Sequence, residues 1–403
     1  MRAARAIAGL AALMAAAWVV ACASDEDPTF EPRNDDTRVP DAAGGVDAET
    51  DADAATTTEP PCLPQTLCPL GPFDPSTTGG ALDLRTRIHH IVGRSANDVW
   101  AVGAAGAIAH FDGTKWSRTE SGAIESFTAL WLRSQGELAL AKISVVYARN
   151  VGVDAVDGGA PSAEGWQRTS PVVPTSLTAG GATGAVTAAW APSDATWLWG
   201  TTVVSDVPSV PATQNGLWRA KIVTETRTLE LAPVLPAGAC RVMGCLQLLD
   251  IHGSSADDLW AVGVRGATFH ITDAQSETPS IIGFDSQTWA GLDGVWAAAA
   301  NDAWAVGGNG TIRHYTGGAF AWDVVDGVPT TEDLHAVWGT SSSDIWAVGD
   351  ATTVLHYDGK AWSRVEVRGL GMRRPDLYTV WSPAPGQVWI GGEGVILSLG
   401  GKP

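Results

Sequence analysis

The apolar positions of this chain fall in short runs that repeat one another. Asn97-Asp98-Val99-Trp100-Ala101-Val102-Gly103 recurs as Asp257-Asp258-Leu259-Trp260-Ala261-Val262-Gly263. It returns as Asn301-Asp302-Ala303-Trp304-Ala305-Val306-Gly307 and as Ser343-Asp344-Ile345-Trp346-Ala347-Val348-Gly349. Looser copies are Gly386-Gln387-Val388-Trp389-Ile390-Gly391-Gly392 and Ser193-Asp194-Ala195-Thr196-Trp197-Leu198-Trp199-Gly200, and the weakest is Gln135-Gly136-Glu137-Leu138-Ala139-Leu140-Ala141. The seven units are anchored at residues 100, 138, 197, 260, 304, 346 and 389, with successive spacings of 38, 59, 63, 44, 42 and 43 residues. A period of this size belongs to a propeller blade or a helical array. No stretch carries the 3.6-residue stripe of an amphipathic helix, and Gly, Pro, Val, Thr and Trp dominate, so the pattern favours strands.

One clean unit reads strand by strand. Leu334–Gly339 is a first strand, Thr340–Ser343 a turn, Asp344–Gly349 a second strand, Asp350–Thr352 a tight turn and Thr353–Tyr357 a third strand. Asp358-Gly359 marks a hairpin, because both residues tolerate positive φ, and Ala361–Val367 is the fourth strand. The expected fold is all-β, a seven-bladed β-propeller of four-stranded antiparallel blades. An open sheet of about 28 strands is implausible. The last unit runs out at Leu399 after three strands, and a lone candidate strand, Ala81–Ile88, precedes the first. That N-terminal strand is expected to close the ring and cover a bare edge, which sets the propeller at 81–403.

Charge narrows the partners. The formal net charge is −19 with only 25 Lys and Arg, which argues against nucleic acid and against polybasic docking on anionic lipid. Residues 24–60 hold twelve Asp or Glu against two Arg, and residues 61–403 carry −11. The stretch 23–80, rich in Asp, Glu, Ala, Thr and Pro, reads as a disordered acidic linker. Ahead of it, Arg2 and Arg5 precede the apolar run Ala6–Val20, which is short for a membrane span. The run ends in Val19-Val20-Ala21-Cys22, which resembles the bacterial lipobox. That resemblance implies a signal peptide over 1–22, a lipid on Cys22, and a place in the cell envelope. Ala23, where inner-membrane lipoproteins of many bacteria carry Asp, implies the outer membrane.

Four further cysteines remain in what would be an oxidising compartment. Short spacing favours the disulfides Cys62–Cys68 and Cys240–Cys245 over the other two connectivities, which sequence alone leaves open. Neither pair is CxxC and no His lies close to either, so loop staples are expected and no metal or cofactor is.

The repeated chemistry reads as frame. Trp131, Trp190, Trp296, Trp338 and Trp381 share the first-strand position, and the second-strand tryptophans share theirs. A residue that recurs in every blade packs blade against blade; a sugar platform is the sharper alternative. His110, His270, His314 and His356 recur on third strands, and Asp98, Asp258, Asp302 and Asp344 precede the motif Trp. These predict a hydrogen bond within each blade from His to a loop Asp or backbone. His89, His90, His252 and His335 lie on or beside first strands, where a channel metal site is the less favoured reading.

With these repeats, residues 81–403 resemble the bacterial propellers that carry Asp–Val–Trp–Ala–Val–Gly repeats, related to the BNR/Asp-box and two-component-regulator groups. The hairpins Asp112-Gly113-Thr114-Lys115-Trp116 and Asp358-Gly359-Lys360-Ala361-Trp362 are similar to the Asp-box but lack its leading Ser–x–Asp. Photosystem II assembly factors resemble the same propeller type. A sialidase would share the fold, but there is no Arg–Ile–Pro start, and two of the four tyrosines, Tyr315 and Tyr357, sit at a repeated structural position. P-loop, G-x-S-x-G and HExxH motifs are absent. The expected function is a non-catalytic, monomeric binding scaffold for an envelope protein or polysaccharide. A glycan-active enzyme and an envelope assembly factor are the alternatives. The non-repeating turn residues Arg265, Asn309, Asp350 and Glu393, with Arg373 and Arg374 on a neighbouring connection, are the candidate ligand contacts.

Overall fold

The computed structural model describes residues 62–73, 82–178, 184–204 and 215–401, without the side chains of residues 157 and 176. The signal segment, Cys22 and the linker up to residue 61 lie outside the described residues. The described chain forms seven four-stranded antiparallel sheets. The blades span 88–118, 129–169, 186–233, 248–285, 292–324, 334–364 and 377–399, and the first strand of each touches that of the next. The ring closes where Leu377–Ala384 of blade 7 meets Ile88–Ser95 of blade 1. In blade 6, the strands Leu334–Ser341, Asp344–Gly349, Thr353–Tyr357 and Trp362–Arg364 match the sequence expectation closely.

Closure by an N-terminal strand holds, but the strand is not Ala81–Ile88. Leu67–Pro69 lies against Val395–Leu399, with Leu67 opposite Leu399, Cys68 opposite Ser398 and Pro69 opposite Leu397. The reason is burial. Leu67 is fully enclosed among Trp346, Val348, Val354 and Leu397. Leu67 N–H also donates to the Glu366 carbonyl, and Arg368 N–H donates to the Leu67 carbonyl, at 3.0 and 2.8 Å. In the segment chosen from sequence, Ile88 instead opens the inner strand of blade 1, and Asp83 pairs with Arg85 at the surface. The ordered domain therefore begins by Cys62, and residues 62–73, expected as linker, belong to the last blade. Both expected disulfides form: Cys62–Cys68 beside the closing strand and Cys240–Cys245 around the short helix Ala239–Met243.

Blade 3 also differs in register. Trp190 of its first strand pairs with Trp199, as Trp338 pairs with Trp346 in blade 6, so Trp199 and not Trp197 occupies the motif position. The turn after Trp190 is one residue longer than the one after Trp338, which displaced the anchor. Arg219 stands opposite Trp199 where other blades carry His, and its guanidinium lies 4.0 Å from the Trp197 ring.

The core is distributed between blades. Seven buried clusters form among the described residues, and each draws on two consecutive blades. First-strand tryptophans reach across these seams. A Cβ on Gly339 would stand 2.7 Å from the Trp296 ring of the preceding blade, and one on Gly253 would stand 2.5 Å from that of Trp190. Trp338 Nε1 donates to the Ser382 carbonyl of blade 7 at 3.0 Å. The final Gly of the motif has another cause: a Cβ on Gly349 would collide with the Asp333 carbonyl, which leads into the inner strand of the same blade.

Candidate functional site

Within each blade the repeated polar residues satisfy one another. His110, His270, His314 and His356 each donate through Nε2 to the acid before the motif Trp, at 2.8, 2.9, 2.8 and 2.7 Å. Each imidazole also lies on its own indole, with centroids 4.1, 4.3, 3.8 and 4.3 Å apart. A residue four positions ahead adds a donor: Arg94 to Asp98, Ser254 to Asp258, Thr340 to Asp344. These groups are consumed by the frame. In blade 2, Gly136 stands where the acid would be, and Glu137 beside it is held by Arg94 and Arg149 at 2.5 and 2.7 Å.

What the frame leaves over gathers on one face. The turns Ala104–Gly106, Val264–Gly266, Gly308–Gly310 and Asp350–Thr352 each place two residues at positive φ. For Ala105, Arg265, Asn309, Ala351 and Thr352 that conformation costs on the order of 1 kcal/mol each. In three turns, hydrogen bonds to the connection entering the next blade offset it. Gly106 N–H donates to the Glu125 carbonyl at 2.7 Å, Asn309 N–H to the Asp333 carboxylate at 2.7 Å, and Thr352 N–H to the Pro375 carbonyl at 2.9 Å. The turns are therefore fixed in position around the channel.

The channel mouth is built by a second repeated device. In six blades the ladder between the first and second strands skips one residue near the start of the inner strand. A bulge re-aims the residue it releases. The six skipped residues are His89, Thr187, Leu249, Asp293, His335 and Tyr378, and all of them line one cavity of about 130 Å³. The frame repeats, and this ring does not.

Its chemistry is concentrated on one side. His335 donates to Asp350 at 2.6 Å and lies 3.8 Å from the Asp293 carboxylate. Burial opposes its charge, but the hydrogen bonds and charges of Asp293 and Asp350 outweigh burial and raise it to about 8. Arg87 pairs with Glu393 at 2.7 Å and covers the Tyr378 ring, whose hydroxyl donates to the same carboxylate at 3.2 Å. Deeper in the wall, burial pushes Asp250 up to about 7, although Ile251 and Val295 N–H groups both donate to it. Burial also lowers His90 to about 4 and His252 to about 3, so both are neutral at physiological pH. The rings of Trp190 and Trp338 flank His252 at 4.7 and 4.9 Å. Past them a second cavity of about 360 Å³ opens toward Arg94, Leu132 and Trp381.

The residues expected from sequence are distributed unevenly. Asp350 and Glu393 join the mouth through His335 and Tyr378. Arg373 donates to the Glu393 carbonyl at 2.9 Å, and Arg374 bonds the carbonyls of its own connection. Asn309 is tied to Asp333, whereas exposed Arg265 borders a separate cleft beside the Cys240–Cys245 loop. Among the described residues no three His, Cys, Asp or Glu are grouped as metal ligands, while His89, His90, His252 and His335 all line the mouth cavity. Sequence reading missed Asp293 and Tyr378. Their signal was the variable residue directly after the first Leu, Ile or Val of six of the seven inner strands.

No family model matches the chain, and no curated protein matches it in sequence. Solved structures match its fold. A YCF48 structure with bound D1 peptide aligns at 14% identity and a TM-score of 0.54, covering 78% of this chain and 93% of that one. A streptogramin B lyase aligns at 14% identity and 0.54, covering 77% and 92%. The extracellular domain of a hybrid two-component system from B. thetaiotaomicron aligns at 10% identity and 0.52, covering 83% of this chain and 40% of that one. These identities establish a shared seven-bladed propeller fold and no more.

Proposed function

We propose that the chain is a non-catalytic lipoprotein of the cell envelope whose propeller binds a partner protein at the channel-mouth face. One observation carries this reading: a repeating frame presents six bulge residues of five types around one opening. Binding specificity needs residues that differ from blade to blade, held where they cannot drift. The peptide bound to the similar YCF48 propeller supports a protein partner over a polysaccharide. The lipobox-like sequence ending at Cys22 supplies the anchor, and Ala23 supports the outer membrane.

The test is cross-linking and capture from envelope extract with the full chain, run against His335→Gln and Asp293→Asn variants and beside a glycan array. A partner retained by the parent and lost by both variants supports the reading. Binding to glycans alone, or equal capture by all three chains, overturns it. Replacing Cys22 by Ser should abolish lipid labelling and release the chain from membranes.

A second reading has one observation in its favour. Asp250 and Asp293 both line the mouth, and burial, with a smaller contribution from the charge of Asp293, raises Asp250 to about 7, as the acid of an acid–base pair would require. Against it, the nearby guanidinium of Arg87 is already engaged by Glu393 and Tyr378. Hydrolysis or elimination on a panel of envelope glycans, lost in Asp250→Asn, would establish an enzyme.

A further inference from the structure

The face that carries the mouth has another opening that the ring of bulge residues does not reach. It is a cleft of about 360 Å³ at blade 4, between the Cys240–Cys245 loop and the connection that holds Trp289. Its floor is apolar, from Phe269 and Phe284, and its rim carries Arg241, Met243, Arg265 and Trp289.

Trp289 is the anomaly. Every other tryptophan among the described residues is buried or half-buried, whereas Trp289 is 88% exposed. It also belongs to none of the repeated strand positions, so the frame does not account for it. Met243, on the short helix bracketed by the disulfide, lines the same cleft and is 37% exposed. Exposing a large indole in a cleft that also shows Met243 forfeits burial that a partner would restore. Trp, Met and Arg are the residues enriched at the centres of protein interfaces.

Charge specifies the occupant further. Residues 61–403 are net acidic, at −11, yet no carboxylate is among the described residues lining this cleft. Arg265 is exposed on its rim, and the left-handed turn fixes the direction in which its side chain leaves the backbone. A planar guanidinium in that position suits a carboxylate. Because the site is concave, it fits an inserted side chain better than a flat lipid surface.

We propose that this cleft docks a partner-protein segment that carries a carboxylate next to a large apolar side chain. The apolar group enters over Phe269 and Phe284 against Trp289, and the carboxylate meets Arg265. This rests on the protein-binding reading above and assigns it a second contact, distinct from the mouth.

A displayed library of random short peptides, selected on the full chain, tests it. Enriched peptides should place Asp or Glu beside Leu, Phe or Trp. They should bind Trp289→Ala and Arg265→Asn at least about tenfold more weakly than the parent, and binding should weaken as salt rises. Asn is chosen at 265 because it tolerates positive φ, and Trp289 is exposed enough that its loss should leave the melting temperature unchanged. Enriched peptides that ignore both substitutions but are lost in Asp350→Asn overturn the cleft and leave the mouth reading standing. If no peptide is enriched, both fall. Trp289-dependent sedimentation with phosphatidylglycerol vesicles, without peptide binding, would make this a lipid contact and overturn the proposal.

Discussion

The indole of Trp381, in the last blade, occupies the space where a side chain on Gly93, in the first, would begin: a Cβ there would stand 2.5 Å from the ring. The backbone carbonyl of Asp98 closes the other side at 2.7 Å. Neither group has room to retreat, since Trp381 is buried in the cluster that joins the two blades. Gly93→Ala should therefore destabilise by about 1–3 kcal/mol through overpacking at the seam that completes the ring. Urea unfolding of the variant measures it, and an unchanged midpoint would show that the seam is slack.

The closing strand makes a sharper prediction. A chain beginning at residue 74 loses Leu67–Pro69, strips Leu397 and Leu399 of their strand partners, and exposes an edge. It should melt well below the full chain and aggregate, whereas a chain beginning at residue 58 should melt with the parent. Similar melting of the two truncations would mean that three strands suffice in blade 7.

Much of this architecture was legible because the Trp motif repeats where strands must pair. The Asp and His positions were legible for the same reason, since residues that keep register keep company. Leu67–Pro69 was not, because a three-residue strand of Leu, Cys and Pro shows no alternation, and only the three-dimensional surroundings of Leu67 reveal its burial. Blade 3 misled through one additional turn residue, which put Trp197 where Trp199 belongs. The mouth was hidden differently: its bulges mark only a position that varies from repeat to repeat, so Asp293 and Tyr378 looked like ordinary strand positions. Trp289 stood out only once every other described tryptophan had found cover.

The carboxylate of Asp344 accepts from both His356 and Thr340. Asp344→Ala leaves two donors without an acceptor and should cost roughly 1–3 kcal/mol, more than Asp344→Asn, which keeps an acceptor oxygen. The same pair of substitutions at Asp258, in blade 4, should give a similar difference, because His270 and Ser254 make the equivalent bonds. Independent sites add, so the double Ala variant should show the sum within about 0.5 kcal/mol. Denaturant midpoints for the set measure this, and a large coupling would mean that the blades communicate through more than their seams.

Rising pH should weaken the folded state through His335. Its folded pKa of about 8 exceeds the ordinary 6.5, so the native chain holds the proton more tightly than the unfolded one. The resulting stability is complete below about pH 6.5 and is lost as pH rises through about 8. Each tenfold gain in proton affinity is worth about 1.4 kcal/mol, so the loss is at most about 2 kcal/mol, and solvent at the mouth screens it to less. Asp250 acts with the same sign at lower pH: raised to about 7 from 3.8, its contribution falls away between about pH 4 and 7. His90 and His252, lowered by burial, oppose it below about pH 6.5, where the unfolded chain gains their protons. The window from about 6.5 to 8.5 is consequently dominated by His335. His335→Gln should flatten the fall in stability there, and Asp250→Asn should flatten only its lower end. A parent stability curve level across that window would show that His335 is not held charged between Asp293 and Asp350.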